Sequence, residues 1–128
     1  MTYQELKTHF VELLHSLHYN VDDTGTYRDG YPWIKISISS IFNATTRYVH
    51  QRKVVIKLDI FSAYNGEKEI LDILENIENA AQNDWFESPN IETWQFDRCQ
   101  IIDDQETGPC RKHGIAFYTF TFTEGSSN

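Results

Sequence analysis

Residues Lys57 to Leu74 read KLDIFSAYNGEKEILDIL, and their hydrophobic period changes midway. Before Ser62 the apolar residues alternate with polar ones, the pattern of a strand with one buried face. After Gly66 they recur every three or four positions, the pattern of a helix. Upstream, Val54, Ile56, Leu58 and Ile60 share one side while Lys53, Lys57 and Asp59 share the other; Val55 alone breaks the alternation. Downstream, Ile70, Ile73, Leu74, Ile77 and Ala81 form the core stripe of a helix over about 67–81. Asn65 is the expected N-cap, and Glu67 and Glu69 sit where the helix dipole favours negative charge. The stretch thus predicts a strand that turns directly into a helix folded back over it, with Ile70, Leu74 and Ile77 buried on Val54, Ile56, Leu58 and Ile60.

Working outward, residues 3–18 read as an amphipathic helix with Leu6, Phe10, Leu13, Leu14 and Leu17 on one face. Thr2 is its N-cap, and Glu5 completes a capping box. NVDDTGTYRDGYP supplies turn chemistry. Residues 33–42 alternate Ile34, Ile36 and Ile38 with Lys35, Ser37 and Ser39, predicting a strand with one wet face. SSIFNATTRYVHQ is polar and β-branched, and reads equally as a projecting hairpin arm or a plain loop. Pro89 and Asn90 precede a strand over about 91–102, DDQETGP is a turn, and residues 112–123 are a final strand rich in aromatic and β-branched side chains. The order helix-strand-strand-helix-strand-strand predicts an α+β fold. Its mixed, mostly antiparallel sheet is packed by two helices on one face. One domain over residues 1–124 and a flexible tail over 125–128 are expected.

The 128 residues are 40% hydrophobic and 14% aromatic, enough for one core and unlike a disordered chain. No apolar run is long enough for a membrane span, and the N-terminal residues lack a signal-peptide pattern, so residence in the cytoplasm is expected. Cys99 and Cys110 flank a turn and could face each other across a hairpin; a reducing compartment favours two free thiols. The formal net charge is −8 and no basic cluster exceeds two residues, which argues against phosphate-directed nucleic-acid binding.

Three constellations carry residue types capable of chemistry. Glu12, His15 and His18 have metal-ligand spacing, but they lie off the leucine stripe and read as surface residues. Asp103, Asp104 and Glu106 crowd one turn without the spacing of a calcium loop. Ser62 has no histidine nearby in sequence to activate it, and no phosphate-binding or nucleophile motif occurs. The expectation is no enzyme, no cofactor and no metal. The aromatics Tyr27, Tyr31, Trp33, Phe42, Tyr48, Phe61, Tyr64, Trp85, Phe86 and Trp94 exceed what a small core must bury. They either cap that core or anchor subunit contacts. The candidate contact residues are Phe42, Arg47, Tyr48, His50, Tyr64, Trp85 and Phe86. Glu67, Glu75 and Glu78 form a candidate acidic stripe on the second helix.

The chain resembles the tail terminator (tail-completion) proteins of long-tailed bacteriophages, the gpU-like group. Carrying the resemblance are the opening helix YQELKTHFVELLHSL, GYPWIKISI as a Pro-led first strand, QRKVVIKLDIFSAYNGEKEILDILENI, and the closing pair WQFDRCQIIDDQETGPCRKHGIAFYTFTF. It covers almost the whole chain and rests on order and texture, with no active-site signature to carry over. It implies a ring, commonly a hexamer, that caps the tail tube, ends its polymerisation and forms the surface on which the head docks. The implied partners are further copies of the chain, the tail tube protein and a head–tail connector protein, with DNA passing through unbound and no membrane. Assembly in the host cytoplasm, then residence at the head-proximal end of the virion tail, would follow. The Glu67, Glu75 and Glu78 stripe would line the lumen or face bulk solvent. Competing readings are another neck protein (head-closure or minor capsid), a monomeric domain that binds a small ligand or peptide, and a metal enzyme using His15 and His18 or the turn carboxylates.

Overall fold

The computed structural model describes residues 2–22, 30–82, 91–104 and 110–123. Helix α1 spans Tyr3–Ser16, strand β1 Asn20–Asp22, β2 Trp33–Asn43, β3 Gln51–Ser62, helix α2 Lys68–Ala80, β4 Ile91–Asp103 and β5 Lys112–Thr123. The strands form one sheet in the order β1-β2-β3-β5-β4. β1 runs parallel to β2, and every other neighbouring pair is antiparallel.

This order explains the change of period at Ser62. β3 and β4 are both antiparallel to β5, which lies between them, so they run in the same direction. Two parallel strands cannot be joined by a tight hairpin and need a crossover. Helix α2 is that crossover. Its stripe of Ile70, Ile73, Leu74 and Ile77 is buried in one cluster with Val54, Ile56, Leu58 and Ile60 of β3. Each such side chain contributes about 1.5–3 kcal/mol by leaving water. Leu6, Phe10, Leu13 and Leu14 of α1 join the same cluster, so both helices cover one face. Phe10 meets the rings of Tyr118 and Phe120 on β5 edge-on.

The capping box of α1 is present, with Glu5 N–H donating to Thr2 Oγ1 at 3.0 Å and Thr2 N–H to Glu5 Oε1 at 2.8 Å. The helix ends at Ser16, before the predicted residue 18. His18 there takes the left-handed conformation (φ 67°) while its N–H bonds to the His15 carbonyl and Tyr19 N–H to that of Leu14. That pairing satisfies the last carbonyls of the helix.

Two further local expectations are corrected. The segment read as turn from Asn20 contains the short strand β1, because Asn20, Val21 and Asp22 can pair with Trp33, Ile34 and Lys35 at the free edge of β2. Asn65 does not cap α2: the N-cap is Glu67, which makes no side-chain cap bond. The joint is held instead by Ser62, whose hydroxyl donates to Glu69 Oε1 at 2.6 Å and accepts from Tyr64 N–H at 3.2 Å. Val55, the apolar residue that breaks the alternation, points to the face without helices, where it is half-buried. The expected tail at 125–128 lies outside the described residues.

Candidate functional site

SSIFNATTRYVHQ closes the β2–β3 hairpin, and its end is a short arm: residues up to 43 and from 51 are paired in the sheet, and 44–50 reach beyond it. β2 and β3 stay paired out to Asn43 and Arg52, and the turn closes with Thr46 N–H donating to the Val49 carbonyl at 2.9 Å. Arg52 braces the base: its Nη1 donates to Asn43 Oδ1 and Thr45 Oγ1, and its Nε to the Tyr3 hydroxyl. The tip carries little that a core could use. Phe42 is 54% and Tyr48 85% exposed, Ile41 and Val49 are exposed too, and Arg47 lies over the Tyr48 ring at 5.8 Å. A hairpin end that presents apolar side chains to water has the composition of a contact surface.

The structure therefore brings Phe42, Arg47, Tyr48 and His50 together on one arm, all exposed. Tyr64, 65% exposed, sits apart from them at the β3–α2 joint. There it borders a cleft of about 820 Å³ between the end of α1 and the start of α2, with His18, Tyr19, Tyr31, Lys68 and Asp72 on its walls. Trp85 and Phe86 lie outside the described residues. Of the acidic stripe, Glu67 and Glu75 are exposed, while Glu78 is half-buried. Glu78 turns toward β5: burial, chiefly, and then the Glu78 charge push the Tyr118 phenol up. The Tyr118 oxygen has no hydrogen-bond partner among the described residues.

The chemical candidates do not converge. Glu12, His15 and His18 are exposed, and no group of three metal-ligating side chains assembles among the described residues. Asp103 is engaged by Lys112 Nζ at 2.5 Å; Glu106 lies outside the described residues. Cys99 and Cys110 are free thiols. Cys99 pairs with Ala116 across β4 and β5, whereas Cys110 precedes β5 and is fully buried. Burial, then the nearby Asp104 carboxylate, push the Cys110 thiol up to about 11, the opposite of what a thiolate nucleophile needs. Ser62 spends its proton on Glu69.

One cluster was invisible in the sequence. On the face opposite the helices, Trp33, Phe61 and His113 stand side by side on β2, β3 and β5, the rings stacked at 4.3 Å in each pair. His113 Nε2 lies 2.8 Å from Asp59 Oδ1, and Lys57 Nζ 3.7 Å from the same oxygen. Their only sequence signal was that Asp59 and Phe61 share the polar-side parity of β3.

These features define an α+β domain with a mixed five-stranded sheet, helices on one face and a braced, exposed arm. No protein-family model and no curated protein matches the chain. Among the solved structures that share the fold are a chain in the virion of a native gene transfer agent particle and bacteriophage SPP1 gp17 protein. The first superposes with a TM-score of 0.60 at 11% identity, over 86% of this chain and 84% of that one. The second superposes with a TM-score of 0.60 at 20% identity, over 97% of this chain and 93% of that one. No helix among the described residues is long and apolar enough to cross a membrane.

Proposed function

We propose that the chain is a virion structural protein of a tailed phage or related particle. In this reading it caps the tail tube as a ring, ends tube polymerisation and forms the head–tail joint. The observation that carries the reading is the fold match over nearly the whole chain to a chain of a gene transfer agent virion and to a bacteriophage protein. The exposed apolar arm supports it, because an isolated domain gains nothing from holding Phe42 and Tyr48 in water. The ring is expected to be hexameric, with the tail tube protein on one face, a head–tail connector on the other, and DNA passing through without specific binding. It assembles in the host cytoplasm and stays at the head-proximal end of the tail. It makes and breaks no covalent bonds; the buried, protonated Cys110 and the committed Ser62 hydroxyl favour that view. Gold-labelled antibody on purified tails tests the role. Label at the head-proximal tail end supports it, and label on tail-less heads assigns the chain to the head side of the neck.

A second reading is favoured by the cleft beside Tyr64. Its aromatic walls suit a small ligand or peptide held by a monomer. That reading predicts no concentration-dependent association.

A further inference from the structure

The charges of the chain are segregated. From Trp33 to Leu58 the sequence holds no carboxylate, while the arm and its flanks carry Arg47, Arg52 and Lys53. From Glu67 to Asp97 the one cation is Lys68, and it is taken by Asp72 at 2.7 Å. In the fold the arm ends the β2–β3 hairpin, while the acidic side chains of the second segment lie on α2 and the edge strand β4, where Glu92 meets Gln51 at the base of the arm.

The acidic side is also incompletely covered. One flank of α2 is engaged, with Asn76 Nδ2 donating to the Tyr19 hydroxyl and Glu69 accepting from Ser62. The other flank carries Leu71, Glu75 and Glu78, and Leu71 is 46% exposed. Beside it on β4, Trp94, Phe96 and Ile101 point to the helix side yet remain half-buried, whereas Tyr118 and Phe120 in the same layer of β5 are sealed. The helices therefore stop short of the sheet edge and leave an apolar seam along α2 and β4, rimmed by carboxylates.

We infer that the arm of one copy, through Ile41, Phe42, Tyr48 and Val49, packs into the α2–β4 seam of the next, with Arg47 and Lys53 set against Glu75 and Glu78. Arm and seam are different surfaces, so the contact is heterologous. Each copy offers one of each, and repetition gives a ring where the rotation closes. Opposite charge steers the encounter and rejects arm-to-arm and seam-to-seam pairing, where like charges would meet. The inference rests on the ring reading above and supplies its subunit contact.

Complementary mixing tests it. One variant carries Arg47→Glu with Lys53→Glu; a second carries Glu75→Lys with Glu78→Lys. Both are followed by sedimentation velocity at low ionic strength and high protein concentration, with circular dichroism to confirm the fold. The unaltered chain is expected to form a closed oligomer. Each variant alone, bearing like charge on both surfaces, should associate on the order of a hundredfold more weakly. An equimolar mixture should recover the original mass, because the arm of each variant now fits the seam of the other. A strictly monomeric parent chain, variants that assemble as the parent does, or a mixture that stays dissociated each overturn the inference. The position of the protein on tails is read separately, so failure of this contact and failure of the tail-end role are distinguishable. If either double variant misfolds, Leu71→Asp replaces the seam variant and Tyr48→Asp the arm variant. Each must then dissociate the oligomer, and an oligomer that survives both overturns the inference.

Discussion

His113 Nε2 lies 2.8 Å from Asp59 Oδ1 on the sheet face opposite both helices, and the Asp59 side chain is nearly sealed from water at 5% residue exposure. The histidine ring is also the end of a stack that runs through Phe61 to Trp33. A single side chain thus satisfies a buried carboxylate and continues an aromatic row across three strands.

His113→Ala should therefore destabilise the fold by about 1–3 kcal/mol, the range for leaving a buried polar group without its partner. Urea unfolding measures it. A loss within a few tenths of a kcal/mol would show that Lys57, 3.7 Å from the same carboxylate oxygen, suffices alone.

Gly114 on β5 lets α2 approach. A Cβ there would stand 2.8 Å from Ile70 Cγ2, inside contact distance. Gly114→Ala should cost about 1–3 kcal/mol by overpacking. In an Ile70→Ala background the same change should cost markedly less, since the clashing methyl is gone. Equal costs in both backgrounds, from thermal or urea unfolding, would contradict the packing described.

These contacts mark where the sequence stops being readable. The period change around Ser62, the leucine stripe of α1 and the Thr2–Glu5 box are local, so the elements they specify and the helix-on-one-face layering could be read directly. The pairing of Asp59 with His113 spans 54 positions and depends on strand register, which no local pattern encodes. β1 has no local signature, because three residues, two of them polar, carry no alternation. Asn65 has the chemistry of an α2 cap, yet Ser62 and Glu69 hold the joint through a bond between strand and helix, which no local pattern shows. Of the candidate site, the arm was visible as a polar β-branched stretch. The α2–β4 seam was not, because exposure of Leu71 and half-exposure of Trp94 follow from where the helices end over the sheet.

His18 occupies a left-handed position that costs a non-glycine residue about 1–2 kcal/mol. His18→Gly should raise stability by about 0.5–1 kcal/mol, part of the relief being offset by the freer unfolded chain. A rise in melting temperature checks it; a fall would mean that the imidazole makes a contact worth more than the strain.

Cys110 is sealed and Cys99 half-exposed. An aromatic disulfide reagent should modify Cys99 first and reach Cys110 only on unfolding. The folded Cys110 thiol titrates at about 11 against a reference of 9.0. Above pH 9 the unfolded chain therefore releases this proton more readily than the folded one, so stability should decline from pH 9 to about 11. Cys110→Ala should flatten that decline, as measured by urea midpoints across the range.

Deletion of the gene from the genome that carries it, followed by electron microscopy of the particles released, tests the proposed tail-end role most directly. Overlong tails without attached heads are expected, and restoring the chain in trans should return tails to uniform length with heads in place. Virions that mature normally without it would contradict the role outright.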